Sequence, residues 1–291
     1  MGNFVHRLKN AAKAPVYALA RRAARSYIAG SRLSEALTLA DHLASQGLRT
    51  TLGYWDAVGA EPSVVFAAYH EALLALAAAP RDRYLSIKYP SLGYSAEMIE
   101  SLVREAKRLE VRLHFDALGP ESVDRTWEAV ETAMRQDADI GCTLPARWRR
   151  SPDDADWAVR RGLAVRIVKG QWPDPTDSAL DPRRGFEAVV ERLAGRARAV
   201  AVATHDLRTA RVALQRLSDA GTPTTLELLY GLPFHRQIHL AKEYGVAVRI
   251  YLPYGEAYLP YCLSQLKRNP RLAWWLVRDA MTARIGRAAA L

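Results

Sequence analysis

From Gly47 onward, the chain alternates between two hydrophobic patterns. Short runs rich in β-branched and aromatic residues are typical of buried strands, and each is followed by a longer segment with apolar residues at helical spacing. Eight strand-like runs that alternate with helices favour a (β/α)8 barrel. The predicted strands are residues 48–54, 84–89, 111–115, 140–144, 164–168, 199–203, 224–229 and 246–251.

The helical segments complete the domain scheme. Residues 1–46 predict two or three helices, with Ser31 and Ser34 as candidate N-caps, and a last helix beginning at Glu256 would cover the barrel mouth. We therefore predict an α/β fold, one distorted (β/α)8 TIM barrel over residues 47–291, preceded by an N-terminal helical arm over residues 1–46. A doubly wound sheet is the alternative, although no G-x-G-x-x-G follows the first strand. The predicted helices between strands are residues 62–78, 96–109, 122–136, 152–161, 184–196, 207–220 and 233–244.

Charge and composition narrow the class of protein. The 291 residues carry a formal net charge of +10, and no acidic residue precedes Glu35. Basic residues elsewhere are scattered without interleaved aromatic residues, so a solvated arginine-rich helix face is favoured over a nucleic-acid or lipid surface. Two cysteines provide no disulfide framework, and no apolar run is long enough to span a membrane. We predict a cytoplasmic protein that binds no nucleic acid and has no integral membrane segment; peripheral membrane association stays open.

Polar side chains stand at the ends of most predicted strands. Because the carboxyl ends of parallel barrel strands meet at one face, these residues predict an active-site rim. A metal-dependent barrel hydrolase that uses His114, Asp116 and His205 as ligands is one alternative. The polar strand-end residues are Asp56, Lys88, His114, Asp116, Thr143, Arg166, Lys169, Thr204, His205, Glu227, Tyr230, Arg249 and Tyr251.

Several of these residues lie in motifs that resemble those of the proline dehydrogenase family. The motifs are SIKYPSLG (86–93), VRIVKGQW (165–172), ATHD (203–206), ELLYG (227–231) and RIYLPYG (249–255). They occur in the family's order, each on the expected strand, and the resemblance extends over about residues 25–269. It implies an FAD-dependent barrel enzyme that oxidises a C–N bond to an imine by hydride transfer to the flavin, with a quinone or other electron acceptor reoxidising the flavin.

The resemblance also implies a cofactor site at the ends of strands 5 to 7. A guanidinium beside the flavin ring can donate hydrogen bonds to it and raise its potential, and cations and hydroxyls suit the phosphates and ribose. The favoured prediction contains no metal. The residues predicted to hold the cofactor are Arg166, Val168, Lys169, Gly170, Thr204, His205 and Glu227.

A substrate pocket is implied beside the cofactor. The resemblance implies that Lys88 lines the pocket, that Leu229 faces the substrate and that Tyr251 shapes the slot over the flavin ring. We therefore predict that these three residues are catalytic. Further pocket candidates are His114, Tyr230, Ser264 and Gln265.

The chain departs from the family pattern where the substrate binds. Two adjacent arginines that clamp the substrate carboxylate align with Ser264 and Gln265, and neutral side chains bind a carboxylate less well. His114 replaces an aspartate, while Pro145 and Glu227 replace glutamines. We expect free L-proline to be a poor substrate and predict a cyclic amine, or an amino acid with a masked carboxylate. A catalytically inactive or non-flavin relative is the other alternative.

Overall fold

Eight parallel strands close into a barrel in this computed structural model, which describes residues 29–79 and 83–256. Strands that are consecutive in the sequence pair with each other, and the barrel closes where Arg49 to Trp55 pair with Arg249 to Gly255. The predicted (β/α)8 barrel is confirmed, and the doubly wound sheet is wrong. The strands are β1 Arg49–Trp55, β2 Arg83–Ile87, β3 Leu113–Phe115, β4 Ile140–Pro145, β5 Ala164–Val168, β6 Ala199–Ala203, β7 Thr224–Leu229 and β8 Ala247–Gly255.

Within the described residues, one α-helix precedes β1, and one follows each of the first seven strands. Each predicted inter-strand helix is present, with small shifts at its ends. Short 3-10 helices occupy Tyr89–Leu92 and Pro120–Ser122. In the described part of the chain, no helix is both long and apolar enough to span a bilayer. The α-helices are α1 Leu33–Ser45, α2 Pro62–Ala77, α3 Ala96–Arg108, α4 Val123–Arg135, α5 Ser151–Arg160, α6 Pro182–Leu193, α7 Leu207–Asp219 and α8 His235–Glu243.

Helix α3 shows how the sequence pattern produces a barrel helix. The Ser95 hydroxyl accepts a hydrogen bond from the Met98 backbone N–H and so caps the first turn. Ile99, Leu102, Val103 and Ala106 recur at helical spacing and are all buried; a fully buried Leu, Ile or Val contributes about 1.5–3 kcal/mol. The apolar face therefore fixes the helix against the sheet.

The segment before the barrel begins differently from the prediction. The N-cap of α1 is Arg32, whose backbone N–H donates to the Glu35 carboxylate at 3.0 Å, so the predicted caps Ser31 and Ser34 are wrong. Glu35 stands three residues after the cap and accepts the N–H of the N-cap residue itself, so no serine is needed to begin the helix. Residues 29 and 30 hydrogen-bond to the end of β8. Residues 1–28 of the predicted arm, and the predicted helix over the mouth, lie outside the described residues.

Candidate active site

A buried ion pair between β5 and β7 crosses the interior of the barrel. Arg166 Nε and Nη2 donate to the two carboxylate oxygens of Glu227 at 3.0 and 2.8 Å. The side chains are only 3% and 2% exposed. On the intervening strand β6, Ala201 pairs with Arg166 and Ala203 pairs with Glu227. The small alanines leave space for the two long side chains.

Arg166 is bonded to the protein through its whole guanidinium group. Nη1 donates to Asp116 Oδ1 at 2.6 Å and to Ser86 Oγ at 3.0 Å, and Nη2 lies 3.4 Å from the Tyr84 hydroxyl. With the two bonds to Glu227 these make five, which is the number of N–H donors on a guanidinium. Burial opposes the charge, but the surrounding acidic groups hold the pKa of Arg166 well above its ordinary value. Arg166 is therefore a permanent cation with every donor engaged inside the barrel.

Tyr251 extends from β8 toward the end of β3. Its hydroxyl donates to Asp116 Oδ2 at 2.9 Å, and its ring centroid lies 5.2 Å from the Arg166 guanidinium carbon. Gly53 on β1 provides the space, because a β-carbon there would collide with the phenol. Burial and the neighbouring carboxylate of Asp116 raise the pKa of Tyr251 well above its ordinary value. The phenol is therefore a hydrogen-bond donor at neutral pH.

His114 lies on the opposite side of Asp116. Its Nε2 is 2.9 Å from Thr143 Oγ1, which lies 3.4 Å from Asp116 Oδ1. Burial and the nearby positive charges of Arg166, Arg112 and Arg249 hold the pKa of His114 well below its ordinary value. His114 is thus a neutral imidazole at the position where the family motif has an acid.

Lys88 projects just beyond β2 and lies at the rim. Its Nζ donates to the Tyr54 carbonyl oxygen at 2.7 Å and lies 3.5 Å from Asp56 Oδ1. Burial lowers the pKa of Lys88, while the carboxylates of Asp56 and Asp116 oppose that shift. The ammonium is accordingly held by protein acceptors at the edge of the predicted substrate pocket.

His205 braces the loop after β7. The Leu229 backbone N–H donates to Nε2 at 3.0 Å, and Nδ1 lies 3.2 Å from the Pro233 carbonyl oxygen. These contacts define a neutral ring with its proton on Nδ1, and burial lowers the pKa of His205. Tyr230, the next residue, donates its backbone N–H to the Tyr251 carbonyl oxygen at 2.9 Å. The ring holds the end of β7, where Leu229 and Tyr230 are half-buried.

The other predicted cofactor residues form a rim at the ends of β5 and β6. Val168 and Thr204 are half-buried and Lys169 is exposed. Gly170 has a φ of +87°, and a β-carbon there would approach Pro145 to 2.9 Å. Apolar and small side chains beside a cation and a hydroxyl suit a flat ring carrying phosphates. Arg166 was predicted to be a cofactor residue as well, and in this structure all five of its N–H donors have acceptors within the protein.

The long loop after β5 is fixed to the loop after β4. The Asp174 carboxylate accepts hydrogen bonds from the backbone N–H groups of Arg149, Thr176 and Asp177. Despite desolvation, these bonds lower the pKa of Asp174 to about 2. The Trp148 indole N–H also donates to the Trp172 carbonyl oxygen at 3.1 Å. This part of the rim is therefore built by local polar contacts.

Sequence reasoning assigned no role to three members of the interior network. Thr51 Oγ1 and the Tyr84 hydroxyl donate to Glu227 at 3.1 and 3.2 Å, and Ser86 accepts from Arg166. Polar residues at alternate positions of β2, followed by Lys88, were the signal that these side chains share one face. Ser264 and Gln265 lie outside the described residues. Within the described ranges no group of three His, Cys, Asp or Glu side chains could hold a metal ion.

Comparison with curated proteins shows similarity over most of the chain. It is 25% identical over 277 residues to Proline dehydrogenase 1 of Bacillus subtilis subsp. natto, which covers 90% of this chain and 91% of that protein. Proline dehydrogenase 2 of Bacillus subtilis (strain 168) is 22% identical over 266 residues, covering 86% and 88%. The Proline dehydrogenase of Deinococcus radiodurans is 25% identical over 216 residues, covering 68% and 69%. No protein-family model matches the chain.

Solved structures share the barrel. Proline utilization A (PutA) from Corynebacterium freiburgense matches with a TM-score of 0.71 and 18% identity, covering 98% of this chain and 35% of that one. PutA from Bdellovibrio bacteriovorus, inactivated by N-propargylglycine, gives 0.69 and 19%, covering 84% and 32%. This chain spans about a third of the length of these structures. The predicted resemblance to the proline dehydrogenases is confirmed, at low sequence identity.

Proposed function

We propose that the chain is an FAD-dependent oxidoreductase that oxidises a carbon–nitrogen single bond of a small amine or amino acid to an imine. The observation that carries the proposal is the polar network at the carboxyl end of a barrel that matches, over 90% of the chain, a protein named Proline dehydrogenase 1. When bound, the flavin supplies the hydride acceptor.

The rim at β5 and β6 would hold the cofactor. Lys169 offers a cation and Thr204 a hydroxyl for phosphate and ribose oxygens, and Val168 and Leu229 offer apolar surface for the ring. His205 would contribute indirectly, because both of its ring nitrogens already contact the backbone after β7. The predicted roles of these residues stay predictions.

Residues at the mouth of the barrel would bind the amine and accept its proton. An amine must lose its proton before or during hydride departure. Asp116 Oδ2, which accepts the Tyr251 hydrogen bond, provides a carboxylate at the mouth that can accept that proton or bind the ammonium. The Tyr251 phenol, with its raised pKa, would orient this carboxylate and cover the slot.

The substrate would lack a free carboxylate or carry it in masked form. The positions of the family's arginine clamp hold Ser264 and Gln265, and Lys88 is already held by the Tyr54 carbonyl oxygen and Asp56. A carboxylate needs a charged partner to leave water, and a bidentate arginine supplies it best. Free L-proline is therefore proposed as a poor substrate. The quinone acceptor and the location in the cell stay predictions.

Absorbance spectroscopy tests the cofactor and then the reaction. The purified protein, supplied with FAD, should show flavin absorbance near about 450 nm. Anaerobic addition of pyrrolidine, L-proline and L-proline methyl ester should bleach that band fastest with the substrates lacking a free carboxylate. No bound flavin would contradict the proposal. Bound flavin that no amine bleaches would instead support the inactive relative, and stoichiometric metal by elemental analysis would support the hydrolase.

A further inference from the structure

Glu227 makes more contacts with the barrel interior than a simple ion pair requires. Both carboxylate oxygens accept from Arg166, and they also accept from the Thr51 and Tyr84 hydroxyls at 3.1 and 3.2 Å. Its side chain is only 2% exposed. Because this buried carboxylate accepts hydrogen bonds from side chains on three other strands, it is held in one position. It holds its arginine partner in place as well.

This fixed position determines what Arg166 can do. An arginine recognises an anion through its planar set of N–H donors, and here protein acceptors occupy all five. We propose that Glu227 is a positioning residue that locks Arg166 inside the barrel, so that the guanidinium donates no hydrogen bond to the flavin or to a substrate anion. The inference rests on the proposed function, because only an FAD-bound enzyme has a flavin from which this contact is withheld.

Two carboxylates near Arg166 compensate its buried positive charge. His114 is a neutral imidazole in contact with Thr143, and the carboxylate opposite Arg166 stands at Glu227 on β7 instead. Arg166 keeps two carboxylate partners, Asp116 and Glu227, and its charge is compensated before any ligand binds.

Charge compensation should weaken the binding of reduced flavin. An anionic reduced ring is stabilised by nearby uncompensated positive charge, and the lock removes that stabilisation. Glu227→Gln removes one negative charge and one strong acceptor, so the formal charge of the Arg166, Asp116 and Glu227 group rises from −1 to 0 and Arg166 gains a spare donor. We expect this variant to bind reduced FAD at least tenfold more tightly relative to oxidised FAD, which is about 30 mV for a two-electron couple.

The lock is tested by measuring the midpoint potential of bound FAD in a mutant cycle. Glu227→Gln should raise the potential in the wild-type background and change it less in an Arg166→Gln background, which has no guanidinium to release. Equal shifts in both backgrounds, or no shift in either, would overturn the proposal. If Arg166→Gln does not fold, the midpoint potential of FAD bound to Glu227→Asp provides the test. It keeps the charge but shortens the reach, so the lock predicts an intermediate potential, and a wild-type potential would overturn it.

Thermal unfolding separates failure of the lock from failure of the proposed function. Glu227→Gln should lower the Tm of the apoprotein by on the order of 10 °C, because it breaks a buried bidentate ion pair and leaves Arg166 with one carboxylate partner instead of two. The matched control is Glu243→Gln, which breaks an exposed pair with Arg211 and should change Tm little. An unchanged Tm for Glu227→Gln overturns the lock whether or not FAD binds. A protein with the expected Tm loss but no FAD affinity refutes the proposed function alone.

Discussion

The phenol of Tyr251 on β8 occupies the space that a β-carbon on Gly53 of β1 would need. The two strands pair directly where the barrel closes, and Gly53 lies opposite Pro253, two residues beyond Tyr251. An absent side chain on one strand therefore determines where a large side chain of the other can lie. From there the phenol reaches Asp116 at 2.9 Å.

Gly53→Ala should destabilise the protein by about 1–3 kcal/mol, as overpacked cores do. The added methyl group would displace the Tyr251 phenol, so the cost should shrink in a Tyr251→Ala background, which lacks the colliding ring and hydroxyl. Urea unfolding of the two single variants and the double variant measures the coupling. Strictly additive costs would show that the two side chains do not share this space.

Tyr251→Phe should lower the free energy of unfolding by about 1.5–3 kcal/mol, because it removes a buried hydrogen bond to a charged carboxylate. Tyr244→Phe is the matched control, since its hydroxyl makes an exposed bond to Gln215, and it should cost about 0.5 kcal/mol or less. Urea denaturation compares the two variants. Equal costs would contradict a stabilising contact with Asp116.

Asp174→Asn should change how stability depends on acid pH. The carboxylate has a pKa of about 2 in the folded chain and about 3.9 when unfolded, so its stabilising effect is fully present above pH about 4 and is lost as pH falls through about 2. The difference in unfolding free energy between wild type and variant should shrink over that interval. The matched control is Asp219→Asn, an exposed position that keeps an oxygen able to accept from Gln215 and should change stability little. A pH-independent difference would refute the assignment.

Replacing Ser264 and Gln265 together with arginine should raise kcat/KM for L-proline by tenfold or more, because a charge-assisted bidentate contact contributes on the order of 2–5 kcal/mol. Activity with pyrrolidine, which has no carboxylate, should not rise. The double alanine variant is the control for loss of the native side chains. Wild-type turnover of proline with a roughly millimolar or lower Michaelis constant would contradict the prediction.

The local hydrophobic pattern was sufficient to predict the strands and helices and to place some of the site residues. The alternation of strand-like and helical periods predicted the barrel, because each β/α unit buries its own apolar face. Lys88 and His205 lie just beyond β2 and β6, as the local sequence predicted, whereas Arg166 and Tyr251 lie in the middle of β5 and β8. The cap of α1 was missed, because a glutamate that accepts from the N–H of its own N-cap residue lets a residue such as arginine begin the helix, and the prediction relied on a serine at that position.

Tertiary structure alone decided which polar groups meet. Arg166 and Glu227 belong to strands separated by β6, so their contact depends on barrel closure, inward orientation and small alanines between them. Nothing local to VRIVKG distinguishes an arginine that faces a ligand from one whose donors are all engaged. Likewise, the backbone partners of His205 come from the next β/α unit. Periodicity specifies the face on which a side chain lies, whereas its partner across the barrel is set by the register of all eight strands.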